Sequence, residues 1–110
     1  MTTAPLPTVD PREVGDDLLL DVRELDEWEA GRAPGAVHLP MSQLPARLAE
    51  VPADRPVAVV CRSGHRSAQV TAYLVAQGRA QVRNVDGGMA AWAALGLPMV
   101  GEPGVEPRVA

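Results

Sequence analysis

One short stretch of the sequence concentrates reactive residue types around a cysteine. It runs from Cys61, the only cysteine of the chain, to Ser67, and it contains two arginines, a histidine and a glycine. Backbone amides, cationic side chains and the start of a helix all stabilise a thiolate, and they also attract an anion to the sulfur. The stretch therefore predicts a cysteine nucleophile in an anion-binding loop.

The alternative for Cys61 is structural, since a lone cysteine is often a small buried apolar residue at the end of a strand. Its neighbours favour the reactive interpretation. A purely structural cysteine needs no glycine-containing loop with two arginines, a histidine and two serines. Arg62 and Arg66 would supply positive charge, and a protonated His65 would add more. A solvent-facing His65 with no part in catalysis is an equally good interpretation.

The elements that must position this loop alternate between apolar runs and helical patterns. The patterns predict strands over 18–22, 36–39, 57–60 and 81–85, and helices over 11–14, 24–30, 42–50, 67–77 and 88–95. Alternation at such short intervals is typical of an α/β domain with a mostly parallel sheet and helices on both faces. Ligands of such sheets bind beyond the carboxyl ends of the strands, which is where Cys61 lies.

Length and composition set the remaining limits. A chain of 110 residues fits one domain, and a formal net charge of −4 argues against a nucleic-acid partner. We expect a domain over 8–98, an N-terminal extension over 1–7 and a loosely packed C-terminal tail over 99–110. No apolar run approaches the roughly 18 residues of a membrane span, and the N-terminus does not resemble a secretory signal. These features predict a soluble, cytoplasmic protein without a membrane partner.

Cysteine and histidine usage bears on cofactors. A single cysteine excludes an internal disulfide and a paired-cysteine metal site. The only histidines, His38 and His65, lie far apart in the sequence, so we expect no zinc site and no other cofactor. The basic residues are all arginine, and without lysine there is no Schiff-base chemistry.

Four segments in order resemble the motifs of the single-domain rhodanese family of sulfurtransferases. They are Asp21–Glu24, Glu27–Gly31 with Pro34–Pro40, Cys61–Ser67, and Asn84–Gly88 followed by Trp92. The resemblance covers about 8–98, nearly the whole chain. One departure is Arg32-Ala33, where the family usually has His-Ile.

The resemblance implies a rhodanese-like fold with about five strands, and a mechanism. The Cys61 thiolate would take the outer sulfur of a small anionic donor such as thiosulfate, and cyanide, a thiol or a sulfur-acceptor protein would remove it. The loop amides from Arg62 to Ser67 would hold the persulfide, and Arg62 and Arg66 would hold the donor. The implied substrate-binding residues are Arg62, Ser63, Gly64, His65, Arg66 and Ser67.

Asp21 and Arg23, at the end of the first apolar strand, are expected to support the loop rather than act in catalysis. Asp21 would anchor the loop through its backbone amides. Arg23 would pair with a helix carboxylate.

Two alternatives remain open. Cysteine-dependent phosphatases of a related fold need five residues between cysteine and arginine, whereas four separate Cys61 from Arg66 here. Arsenate reduction usually also needs a second thiol. Non-catalytic rhodanese modules, which serve in interaction or regulation, typically lack the cysteine, whereas Cys61 and its loop are present.

Several further residues carry structural expectations. Trp28 and Trp92 are predicted to be core residues, and His38 is predicted to make a structural hydrogen bond. Asp86 is predicted to cap the last helix. The acidic run over 24–29 is predicted to be a solvated helix face.

Overall fold

A five-stranded parallel sheet organises the chain in the computed structural model, which describes residues 6–110. Its strands are β1 (Thr8–Val9), β2 (Leu18–Asp21), β3 (Val37–His38), β4 (Val57–Val60) and β5 (Val82–Val85). The order across the sheet is β1-β5-β4-β2-β3, and each neighbouring pair is parallel. The predicted α/β fold is confirmed. The predicted N-terminal extension lies mostly outside the described residues.

In the described part of the chain, three α-helices connect or follow the strands. They are α1 (Leu25–Ala30), α2 (His65–Ala76) and α3 (Gly88–Ala94). The helix predicted over 42–50 is wrong: two 3₁₀ segments, Met41–Gln43 and Pro45–Glu50, lie there. Pro45 has no N–H to continue a helix, and Arg47 departs from helical angles. Within residues 6–110, no helix is long and apolar enough to cross a membrane.

The core lies on both faces of the sheet, which explains the uniformly apolar sequence of β4. Its four residues are fully buried, because helices and loops cover each face. Val57 and Val59 pack on the side of α2, whereas Ala58 and Val60 pack on the side of α3. Cys61 continues this alternation on the α2 side.

Three loops meet at one edge of the sheet. β5, β4 and β2 are neighbours, and α3, α2 and α1 follow their carboxyl ends in that order. Residues after these strands therefore come together although they are far apart in the sequence. This edge contains Cys61.

The C-terminal segment over 99–110 packs against the end of α1 rather than lying loose. Val100 forms an antiparallel bridge with Arg32, and the Arg108 amide donates to the Ala30 carbonyl at 2.9 Å. A Cβ at Gly31 would lie 2.5 Å from the Arg108 carbonyl oxygen. Gly31 has extended backbone angles, so close approach of the chain is what requires glycine there. The predicted domain boundary at residue 98 stays a prediction.

Candidate active site

Cys61 lies at the end of β4 beneath a tight loop, with 1% of its surface exposed. Its Sγ atom accepts a hydrogen bond from the Gly64 amide at 3.1 Å and lies 3.2 Å from the Ser67 hydroxyl oxygen. The loop turns back this quickly because Gly64 adopts a φ of 106°, which other residues rarely adopt. The loop thus directs polar hydrogens at one sulfur atom.

This arrangement favours the thiolate. Burial alone would raise the pKa of Cys61, but hydrogen bonds from the Ser67 hydroxyl and from the Ser67, Gly64 and Ser63 backbone outweigh burial. The pKa of Cys61 is therefore lowered from its ordinary value. The main hydrogen-bond donors to the sulfur are the loop amides and one serine, and binding of an anionic substrate to this loop stays a prediction.

The lowered pKa gives a testable titration. We expect the thiolate to appear with a midpoint below about 8.5, the value of a free cysteine. Ser67→Ala removes one hydrogen bond and leaves burial in place, so its midpoint should rise above that of the wild type. Ultraviolet thiolate absorbance against pH measures both, with Cys61→Ser as the baseline. A wild-type midpoint at or above that of free cysteine would contradict the assignment.

Backbone hydrogen bonds from the start of α3 hold the active-site loop in place. The Met89 amide donates to the Cys61 carbonyl at 2.8 Å, and the Ala90 amide donates to the Arg62 carbonyl at 2.9 Å. The first amides of a helix lack partners within it, and here the loop supplies their acceptors. The prediction that Asp86 caps α3 is wrong, because the cap residue is Gly87 and no side chain bonds there.

Asn84 is the side chain that ties the loop to the sheet. It lies in β5, is 8% exposed, and its Nδ2 donates to the Gly64 carbonyl at 3.3 Å. This anchoring role was predicted for Asp21 instead. The signal in the sequence was an asparagine inside a predicted strand, directly before Val85.

Asp21 and Arg23 support the site in a different way from the one predicted. Both are fully buried, and the Arg23 guanidinium donates to the Asp21 carboxylate at 2.7 Å. Arg23 also donates to the Gly31 carbonyl at 2.7 Å. The expected bonds from Asp21 to the loop and from Arg23 to a helix carboxylate are therefore wrong. The pair instead ties the end of β2 to the end of α1.

Arg66 is already paired. Its two Nη atoms donate to the two carboxylate oxygens of Glu27 at 2.7 and 2.8 Å. These hydrogen bonds are the first cause of the lowered pKa of Glu27. The acidic run is therefore not a purely solvated face, because one of its carboxylates turns toward the loop. Sequence reasoning missed Glu27, since a run of acids does not show which one faces inward.

The outer surface of the loop is open to solvent. Arg62, Ser63 and His65 are exposed, and the His65 Nδ1 lies 3.3 Å from the Ser63 hydroxyl oxygen. Arg62 forms no ion pair within residues 6–110. The structure therefore brings the predicted loop residues around Cys61, with Ser67 buried and Arg62 pointing its charge into solvent.

The structural predictions for Trp92 and His38 are confirmed, whereas the prediction for Trp28 is wrong. Trp92 is buried, as expected, whereas Trp28 is half-buried rather than in the core. Trp28 stacks on the His38 ring with centroids 4.8 Å apart, and the Arg32 guanidinium lies 4.9 Å from its ring centre. The His38 Nε2 lies 2.8 Å from the Arg23 carbonyl oxygen, which is the structural hydrogen bond that was expected. In the described part of the chain, no three or more His, Cys, Asp or Glu residues are grouped to hold a metal ion.

Comparison with known proteins identifies the class to which this fold and site belong. The family model of the rhodanese-like domain matches residues 9–95. The chain therefore belongs to the rhodanese-like domain family.

Three relatives illustrate the similarity. A protein named sulfurtransferase from Allochromatium vinosum is 48% identical over 89 residues, which are 81% of this chain and 83% of that protein. The crystal structure of a rhodanese-related protein from Thermoplasma volcanium matches with a TM-score of 0.80 and 28% identity, over 86% of this chain and 97% of that one. A thiosulfate sulfurtransferase from Pseudomonas aeruginosa matches with a TM-score of 0.78 and 25% identity, over 94% of this chain but 21% of that one.

Proposed function

We propose that this protein is a sulfurtransferase that carries a sulfane sulfur atom as a persulfide on Cys61. The observation that carries the proposal is the Sγ atom of Cys61, held by the Gly64 amide and the Ser67 hydroxyl. Hydrogen bonds that stabilise a thiolate also stabilise a persulfide anion on the same residue. The relative named sulfurtransferase supports this class of reaction.

The first half-reaction uses a small anionic donor, and thiosulfate is the one we propose. The Cys61 thiolate attacks the outer sulfur of thiosulfate, an S–S bond forms to Cys61, and the S–S bond of the donor breaks. Sulfite leaves with the bonding pair, so charge is conserved and no other oxidant is needed. The loop amides and the charge of Arg62 favour an anion at this position.

The second half-reaction needs an external acceptor. Cyanide attacks the outer sulfur of the persulfide, thiocyanate leaves, and the Cys61 thiolate returns. A thiol or a sulfur-acceptor protein would serve in the same way. Because the chain has one cysteine, no second thiol of its own is available to take the sulfur. We place this reaction in the cytoplasm, where free thiols stay reduced.

The loop favours this function over the two alternatives. With four residues between Cys61 and Arg66, it is one residue shorter than the phosphatase loop described above. The presence of a polarised cysteine argues against a module that only binds partners. Both alternatives predict no transfer of sulfur.

Steady-state kinetics test the proposal. A persulfide intermediate requires a double displacement, so plots of reciprocal rate against reciprocal thiosulfate concentration should be parallel at different cyanide concentrations. Thiocyanate formation is the readout. Converging lines would contradict a mechanism in which the enzyme forms a persulfide before the acceptor binds. Absence of thiocyanate with both thiosulfate and a persulfide donor would contradict sulfur transfer itself.

Removal of Arg66 should weaken thiosulfate use. Arg66→Ala leaves the Glu27 carboxylate, which is 15% exposed, without its partner near an anion site. We expect kcat/KM for thiosulfate to fall about tenfold, because an unpaired negative charge then repels the donor. The pKa of Cys61 should rise for the same reason. Unchanged kinetics and thiolate titration would show that the donor binds elsewhere.

A further inference from the structure

The ion pair between Arg66 and Glu27 joins the active-site loop to α1. Both carboxylate oxygens of Glu27 accept hydrogen bonds from Arg66, at 2.7 and 2.8 Å. The two side chains are 35% and 15% exposed, so the contact is partly withdrawn from water. Two-point contacts of this kind are among the strongest arginine–carboxylate interactions. The charge of Arg66 is therefore balanced within the protein before any donor arrives.

This balance changes the charge that the loop offers to a donor. Two arginines lie close to Cys61 in the sequence, Arg62 in the loop and Arg66 in the first turn of α2, but Arg66 and Glu27 together contribute no net charge. The remaining guanidinium is that of Arg62, which is exposed and forms no ion pair within residues 6–110. A donor with two negative charges therefore finds only one unpaired arginine, Arg62, near the sulfur.

The pair lies beside the sulfur, because residues on both sides of Arg66 contact it. The Gly64 amide donates to the Cys61 Sγ atom at 3.1 Å, and the Ser67 hydroxyl oxygen lies 3.2 Å from the same atom. The pKa of Arg66 is raised first by its hydrogen bonds to Glu27, and further by the negative charges of Glu27 and of the Cys61 thiolate. Arg66 thus interacts electrostatically with the reacting atom. Glu27 is bonded directly to Arg66, so its negative charge offsets that of Arg66 beside the sulfur.

We infer that Glu27 is a specificity-determining residue: it keeps Arg66 in a neutral pair, so that donors with one negative charge compete effectively with dianionic thiosulfate. The inference rests on the proposed sulfur-transfer function and concerns the donor class that the site prefers. Glu27 acts through Arg66 and does not itself take part in bond making or breaking.

Thiosulfate and methanethiosulfonate are the matched probes. Each presents an outer sulfur bonded to an oxidised sulfur centre, but the first carries two negative charges and the second carries one. The Cys61 thiolate attacks the outer sulfur of either donor and breaks its S–S bond. Sulfite leaves from thiosulfate and methanesulfinate leaves from methanethiosulfonate, so the same persulfide forms in both reactions.

Glu27→Gln is the variant that tests the inference. The glutamine oxygen can still accept the Glu24 amide, which donates to the Glu27 carboxylate at 3.0 Å, so the start of α1 is retained. The charge of Arg66 is then unbalanced, and it attracts a dianion about twice as strongly as a monoanion. We expect the ratio of kcat/KM for thiosulfate to that for methanethiosulfonate to rise about fivefold.

The ratio makes the test specific, because any change in the Cys61 pKa or in the folded fraction affects both donors equally. Asp26→Asn is the control: Asp26 is exposed in the same helical turn, and its loss removes one negative charge without touching Arg66. Glu27→Ala, a second variant that also removes the carboxylate, should shift the ratio in the same direction as Glu27→Gln.

A rise in the ratio for the Glu27 variants, with less than a twofold change for Asp26→Asn, would support the inference. An unchanged ratio in the Glu27 variants, or an equal rise in Asp26→Asn, would overturn it while leaving sulfur transfer intact. Absence of turnover by the wild type with both donors would overturn the proposed function and this inference with it.

Discussion

Cys61→Ser should lower the rate of thiocyanate formation from thiosulfate by at least about a thousandfold. A serine hydroxyl is far less acidic than this thiol and forms no persulfide, so the double displacement cannot start. The fold should survive, because a serine oxygen can use the same Gly64 amide and Ser67 hydroxyl that contact the sulfur. The measurement is thiocyanate production at saturating donor.

Thermal unfolding of the same sample separates chemistry from folding. We expect the melting temperature of Cys61→Ser to stay within a few degrees of the wild type. Cys61→Ala, which cannot use those hydrogen bonds, should be equally inactive. Turnover of either variant within tenfold of the wild type would refute Cys61 as the nucleophile.

Among the substitutions proposed here, Gly88→Ala should cause the largest loss in the free energy of unfolding. Gly88 has a φ of 61°, and a Cβ there would lie 2.4 Å from the Cys61 carbonyl oxygen and 2.7 Å from the Arg62 carbonyl carbon and oxygen. The neighbours are backbone atoms of the active-site loop, so they can move only by displacing Cys61. Unfavourable backbone angles and overpacking together should lower the free energy of unfolding by about 3 kcal/mol. Sulfur transfer should fall as well.

Gly96→Ala is the matched control for this prediction. Gly96 also has a positive φ, 72°, but nothing lies within 4 Å of a Cβ built there. Its substitution should therefore cost only the backbone strain, about 1 kcal/mol. Denaturant unfolding measures both variants. If both variants lost the same free energy of unfolding, the close approach of α3 to the loop would make no contribution to stability.

Local patterns were sufficient to predict β4, whereas the helix after it begins at His65 and not at Ser67 as predicted. A strand that is buried on both faces needs apolar residues at every position. The uninterrupted run of valine and alanine in β4 meets this requirement, so its bounds were predicted as observed. The glycine and the charged residues that follow it mark the end of the strand. Cys61 was expected beyond the carboxyl end of a parallel strand, and it directly follows β4.

Contacts between distant segments could not be predicted in this way. The bond from Arg66 to Glu27 spans 39 residues, and the bond from Asn84 to Gly64 spans 20. Periodicity shows which face of a helix is polar, but not which carboxylate of a polar face meets an arginine on another element.

One error has a local cause that was visible in the sequence. Pro45 interrupts the predicted helix over 42–50, and its missing N–H could have been read as a break.

The intact mass of the purified protein after incubation with thiosulfate tests the central claim most directly. The account predicts a gain of one sulfur atom on the wild type, removed by cyanide or dithiothreitol, and no gain on Cys61→Ser. Because Cys61 is the only cysteine, the adduct has one possible thiol site. A wild-type protein that stays at its original mass with both thiosulfate and methanethiosulfonate would contradict a persulfide enzyme.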